Sequence, residues 1–163
     1  MPNAIPFTDL AKVFPTSKGA PKPIQMASSG GDKPRILLGE DDPMETLTLF
    51  QTLAEAGFEL VTTTNGTDAI AELRKADHPP VAILEQHLPG MSGLEICERM
   101  RDAGKHVYLI LLGPAPSSAE IVAGLEMGAD LYLPKSIRPA ELVAHVKVGL
   151  RIICRQRAME NAS

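Results

Sequence analysis

From Arg35 onward, short apolar runs alternate five times with stretches of helical period, and this alternation limits the fold more than any other feature of the chain. The runs RILLG (35–39), ELVTT (59–63), VAIL (81–84), VYLILL (107–112) and DLYL (130–133) are nearly continuous in apolar character, as expected of parallel strands covered on both faces. The stretches between them read as helices. Asp42 and Pro43 form an N-cap and first-turn pair, Leu47, Phe50 and Ala54 mark one face, and Gly57 ends the first helix. Thr67 opens a second with Ile70 and Leu73 inward, broken by His78-Pro79-Pro80. Asn65-Gly66 before it reads as a left-handed turn without a chemical role.

Ser92 to Glu95 and Ser117 to Glu120 have capping-box spacing, and each is followed by apolar periodicity and then a glycine, Gly104 or Gly128. The last helix starts at Pro139 and carries Leu142, Val146, Leu150 and Ile153 on one stripe. Strand–helix alternation of this kind predicts an α/β doubly wound sheet of five parallel strands, order 2-1-3-4-5, with helices on both faces. The functional crevice of such a sheet lies beyond the carboxyl ends of its central strands.

A length of 163 residues fits one domain with tails and leaves no room for a second folded module. The expected division is a flexible Pro/Gly/Ser-rich arm over 1–34, the folded domain over 35–154 and a polar tail over 155–163. Within the arm, Ile5, Phe7, Leu10, Val13 and Phe14 are spaced as a short docking segment, but the composition favours an unstructured arm. A formal charge of −4 gives no footprint for nucleic acid, so partners are expected to be proteins. Cys97 and Cys154 lack companions at metal-ligand spacing and read as buried thiols. Neither a secretory leader nor a membrane span is visible, which predicts a cytoplasmic location without membrane contact.

At the predicted strand ends stand Glu40-Asp41-Asp42, Glu85 and Lys135. Carboxylates gathered this closely raise one another's pKa unless a cation neutralises them, and an oxygen-rich cluster suits a hard ion such as Mg²⁺. Lys135 supplies a second source of positive charge, and a salt bridge from it to Glu85 is preferred over a solvated lysine. His78, His87, His106 and His145 have no zinc-ligand spacing, and no phosphate-binding glycine loop or nucleophile elbow occurs.

The blocks ILLGEDDPMETL, ILEQHLPGMSGLEICERMR, YLILLGPAPSSAEIVAGLEMGADLYLPKS and RPAELVAHVKVGLR resemble the successive signatures of response-regulator receiver domains of two-component signalling. The resemblance implies that Glu40 and Asp41 are the acidic pair that helps hold Mg²⁺, with Glu85 at the phosphoacceptor position. It likewise makes Lys135 the phosphoryl-contacting lysine and Tyr132 the aromatic switch. Three positions depart from the family pattern: Glu85 replaces the aspartate, Gly113 replaces a Ser or Thr, and Ser136 replaces the proline after the lysine.

These departures point to a stand-alone pseudo-receiver, a non-enzymatic interaction module little dependent on phosphorylation. Glu40, Asp41 and Glu85 are its weak Mg²⁺ site. The alternative is a working phosphorelay receiver that accepts phosphate from a histidine kinase with Mg²⁺; a Mg²⁺-dependent phosphohydrolase ranks below both. The expected partner is a histidine kinase or an output protein, and a homodimer through helix four, strand five and helix five is a further expectation. That face carries an apolar stripe of Ala144, Val148 and Ile152 on the last helix.

Overall fold

The structure, a computed structural model, describes residues 33–162; the sequence readings made for residues 1–32 lie outside it. Five parallel strands, β1 (Arg35–Gly39), β2 (Glu59–Thr63), β3 (Val81–Glu85), β4 (Tyr108–Gly113) and β5 (Leu131–Pro134), form one sheet of order β2-β1-β3-β4-β5. The helices between and after them are α1 (Pro43–Glu55), α2 (Gly66–Arg74), α3 (Gly93–Asp102), α4 (Ser118–Glu126) and α5 (Pro139–Asn161).

The sheet carries a core on each face. On one, Leu37, Leu84, Leu109, Leu111 and Tyr132 pack with Ile70, Leu73, Ile96 and Met100 from α2 and α3, and Ile121 of α4 joins them. On the other, Ile36, Leu38, Ile83, Ile110 and Leu112 pack with Leu53 of α1 and with Leu142, Val146, Leu150 and Ile153 of α5. Alternate residues of β1, β3 and β4 thus serve opposite cores, the period-two rule of strands applied to a sheet buried on both sides.

The predicted caps form. Asp42 accepts from the amides of Met44 and Glu45, Ser92 from Glu95 and Ser117 from Glu120, while Gly57, Gly104 and Gly128 take positive φ after α1, α3 and α4. Gly66 differs from expectation. It is the first residue of α2, with Asn65 as an extended N-cap, and has no positive φ. Glycine is needed there for space, because a Cβ would lie 1.8 Å from the Met91 carbonyl oxygen.

Asp130, read in the sequence as strand, precedes β5, and its carboxylate accepts from the Leu109 amide (2.8 Å) and Arg101 (2.5 Å). The inner face of α1 is also not Leu47, Phe50 and Ala54: Leu53 is buried and Leu49 and Ala56 pack against the core, leaving Leu47 and Phe50 exposed. Both sets have helical spacing, and the anchoring of the first turn over the crevice selects between them. α5 continues past residue 154 to Asn161, where Glu160 pairs with His106 at 2.5 Å. Cys97 is buried, its thiol pushed up to about 12 by burial, whereas Cys154 is only half-buried.

Candidate functional site

Each group of the crevice is delivered by a strand end. The Glu40 amide donates to the Thr63 carbonyl at 3.1 Å, extending the β1–β2 pairing by one residue, and the Lys135 amide donates to the Gly113 carbonyl at 2.8 Å, extending β4–β5. Alternation then sends the Glu40, Glu85 and Lys135 side chains to the α1/α5 face of the sheet. The first turn of α1 adds Glu45, three residues after the cap.

Four side chains converge there. The Lys135 ammonium stands 2.5 Å from Glu85 Oε2, 2.6 Å from Glu45 Oε2 and 3.5 Å from Glu40 Oε2. Glu40 is 1% and Glu85 5% exposed. Glu40 Oε1 accepts from the Asp42 amide at 3.1 Å, and Glu85 Oε1 receives a long contact of 3.4 Å from the His87 amide. Oε2 of both carboxylates is buried without a well-directed hydrogen bond, so Lys135 is what compensates them.

One ammonium cannot balance three ionised carboxylates, and the imbalance falls on Glu40. Burial, the larger cause, together with the charges of Glu85 and Glu45, raises its pKa from 4.5 to about 7 against the opposing pull of the Asp42 amide and Lys135. Lys135 moves upward from its ordinary 10.5: burial alone would lower it, but hydrogen bonds to Glu45 and Glu85 and the charge of Glu40 outweigh that.

The opposite face of the same strand ends holds a second group. Tyr132 is buried, and its hydroxyl donates to Gln86 Oε1. Two glycines make room for the ring: a Cβ on Gly113 would lie 2.9 Å from the Tyr132 hydroxyl oxygen and 3.2 Å from Gln86 Oε1, and one on Gly124 would lie 2.6 Å from Tyr132 Cδ2. Burial, then the charges of Glu120 and Glu85, raises the Tyr132 pKa above 10.0.

The structure therefore brings together Glu40, Glu85 and Lys135 of the residues named from sequence, and separately Gly113 and Tyr132. Asp41 is exposed and stands outside the converging carboxylates; Glu45 takes its place. Sequence reasoning passed over Glu45 and Gln86. The spacing Asp42-x-x-Glu45, that of a capping box, was a signal for Glu45, and period-two alternation after Glu85 was one for Gln86. The peptide bond between Lys135 and Ser136 is trans.

A carboxylate oxygen from each of Glu40, Glu45 and Glu85 lies within 4.8 Å of the others, an all-oxygen donor set that fits a hard divalent cation in chemistry. The same oxygens surround the Lys135 ammonium, so a metal and the lysine compete for one position.

The sequence profile of the response regulator receiver domain matches residues 36–147. The chain belongs to that family. It is 36% identical over 117 residues to the DNA-binding response regulator MtrA of Mycolicibacterium smegmatis, a match covering 72% of this chain and 50% of the relative. It is 34% identical to the response regulator MprA of Mycobacterium leprae, covering 72% and 51%. This receiver thus spans about half the length of the curated relatives it matches. In fold it is similar to a CheY-like response regulator receiver domain protein from Methanospirillum hungatei, with a TM-score of 0.69, 24% identity, and coverage of 76% of this chain and 98% of that one. Among the described residues, no helix is long and apolar enough to cross a membrane.

Proposed function

We propose that this receiver works in two-component signalling as a protein-interaction module whose output does not depend on phosphorylation. The observation that carries the reading is the Lys135 ammonium held between Glu85 and Glu45 at 2.5 and 2.6 Å. The position that accepts a phosphoryl group in the family is here already paired with a cation, nearly buried, and longer by one methylene than aspartate. That methylene displaces the carboxylate by roughly 1.5 Å, and a misplacement of ~1 Å costs a factor of about 10² in a positioned reaction.

Two further features support the reading. Gly113 has no hydroxyl with which to contact a phosphoryl group, and Tyr132, the switch position by family resemblance, is bonded to Gln86 inside the core. A conformational change passing through Tyr132 has to break that bond in a place where an orphaned hydroxyl is costly. The module acts by binding, not by catalysis, and its partner is a histidine kinase or an output protein. The face for it is α4, β5 and α5, where Val122, Leu125 and Ile152 are exposed. The charge of −4 keeps nucleic acid outside this reading, although the relative MtrA is named as DNA-binding.

The second reading is a working phosphorelay receiver, favoured by the oxygen cluster of Glu40, Glu45 and Glu85. Incubation of the full chain with acetyl phosphate and Mg²⁺, followed by intact-mass measurement, separates the two. The unmodified mass is the expected result, and a rapid stoichiometric phosphate adduct overturns the proposal. Mg²⁺ is expected to bind weakly, since it has to displace a tethered ammonium already paired with the same three carboxylates and to give up tightly held water in doing so; calorimetric titration in the typical receiver range or tighter would count against the lysine as resident cation.

A further inference from the structure

The solvent side of α5 is cationic. Residues 142–159 of this helix hold Lys147, Arg151, Arg155 and Arg157 and no aspartate or glutamate. Arg157 is half-buried and donates to the His78 carbonyl at 3.5 Å. Lys147, Arg151 and Arg155 are exposed and recur at i, i+4 and i+8, which makes them a ladder about 12 Å long on one side of the helix. Beside the ladder, on the next sector of the helix, Val148, Ile152 and Met159 form an apolar stripe. Val148 is half-buried, while Ile152 is 40% and Met159 74% exposed.

The fold accounts for neither stripe. The core contacts of α5 come from its opposite side, through Leu142, Val143, Val146, Leu150 and Ile153. Like charges four residues apart destabilise a helix, and neither Glu141 nor Glu160 stands three or four residues from a member of the ladder to offset them. Arg151 and Arg155 hold no ion pair among the described residues. Complementing the helix macrodipole calls for cations in the last turn, yet the last turn of α5 has none and Arg151 stands at the middle of the helix.

The two stripes together specify the occupant. Carboxylates at the same pitch neutralise the ladder, and apolar side chains beside them cover Val148, Ile152 and Met159; an acidic amphipathic helix supplies both. A flat anionic surface fits worse. A bilayer or a DNA duplex laid against α5 also meets the exposed Glu141 of the same helix and the exposed Glu55 of α1, which packs beside it. A second α5 is excluded, since the ladder repels its like. We propose that the outer side of α5 docks an acidic amphipathic helix of a partner protein, with carboxylates on Lys147, Arg151 and Arg155 and apolar side chains on Val148, Ile152 and Met159. The proposal rests on the reading of this receiver as an interaction module and names the chemistry of its partner.

The probe is a fluorescein-labelled designed helical peptide with glutamates at i, i+4 and i+8 and leucines on the adjoining stripe, titrated with the full-length chain and read by anisotropy. The expected result is binding that weakens with salt and is about tenfold or more tighter than that of a scrambled peptide of the same composition. Arg151→Glu with Arg155→Glu abolishes the preference and transfers it to a peptide with lysines in place of the glutamates. Both arginines are exposed and outside the two cores, and far-ultraviolet circular dichroism checks the fold. Arg151→Gln with Arg155→Gln is the milder variant, also expected to lose the preference. Equal affinity for the scrambled peptide, or a preference indifferent to both double variants, overturns the proposal. Binding of phosphatidylserine vesicles or duplex DNA without a peptide preference overturns it too, as does a dimer of the chain alone that charge reversal dissociates in sedimentation. No phosphodonor enters this titration, so its failure is distinct from that of the module reading, which shows as the phosphate adduct.

Discussion

Glu40 is the residue on which the charge balance of the crevice turns. Its folded-state pKa of about 7 lies above the 4.5 of an ordinary glutamate, so the protonated form favours the fold. That contribution is complete below pH 4.5 and is lost as pH rises through about 7. Glu40→Gln keeps the oxygen that accepts from the Asp42 amide and removes the titration. Between pH 4.5 and 7 the parent is therefore expected to lose stability relative to Glu40→Gln, by on the order of 3 kcal/mol, measured by urea unfolding at each pH. Parallel curves would show that Glu40 stays ionised. At Glu85, the shorter Glu85→Asp restores the family carboxylate. The expected outcome is a detectable phosphate adduct by mass, with amide shifts confined to the crevice, because Gly113 still lacks a hydroxyl and Tyr132 remains bonded to Gln86. Full switching in that single variant would remove Gly113 from the explanation.

Within the elements, small residues decide how closely helix and strand approach. The Tyr132 ring fits between Gly113 of β4 and Gly124 of α4, so Gly113→Thr has to push the ring off Gln86 before its hydroxyl can contact anything. Spectrophotometric titration is expected to show one tyrosine of the Gly113→Thr variant moved down toward pH 10.0, the value from which burial now raises Tyr132; an unmoved phenol would mean that Gln86 yields instead. Gly149 does the same for α5. A Cβ there would lie 2.3 Å from Tyr108 Cδ1, and the contact is with a ring held in the core. Gly149→Ala gains about 1 kcal/mol of helix propensity and incurs overpacking of about 1–3 kcal/mol. A net loss of stability by denaturant unfolding is the expected sign, and a gain would show that α5 can lift.

At the scale of the whole molecule, the sheet separates two chemistries. The acidic crevice with its lysine lies on the α1/α5 side, and the Tyr132–Gln86 pair lies on the α2/α3/α4 side; the ends of β3, with Glu85 and Gln86, and of β5, with Tyr132 and Lys135, join them. The exterior repeats the division: α1 presents the Met44, Leu47 and Phe50 stripe, while α4 and α5 present Val122, Leu125 and Ile152. If the α4–β5–α5 face binds an output protein or a second copy, the double variant Val148→Glu, Ile152→Lys is expected to abolish that assembly in analytical ultracentrifugation and partner capture while leaving the fold intact. Unchanged association would eliminate this face.

The sequence by itself determined the order of elements, the sheet and the carriers of the crevice, because buried parallel strands must read as continuous apolar runs and because Asp42, Ser92 and Ser117 mark helix starts by the hydrogen bonds they alone can accept. It also put Glu40, Glu85, Gly113 and Lys135 at one end of the sheet, since strand ends in such a topology converge. Only the tertiary structure decided which side chains meet there. Glu45 joins the carboxylates and Asp41 does not, since the rotation of α1 over the crevice depends on packing against β2 and α5. That same rotation buries Leu53 and exposes Leu47 and Phe50, a choice between two stripes of equal periodicity. Gln86 and Tyr132 are 46 residues apart and find each other only across β4, in a space left by two glycines whose meaning depends on what lies opposite them.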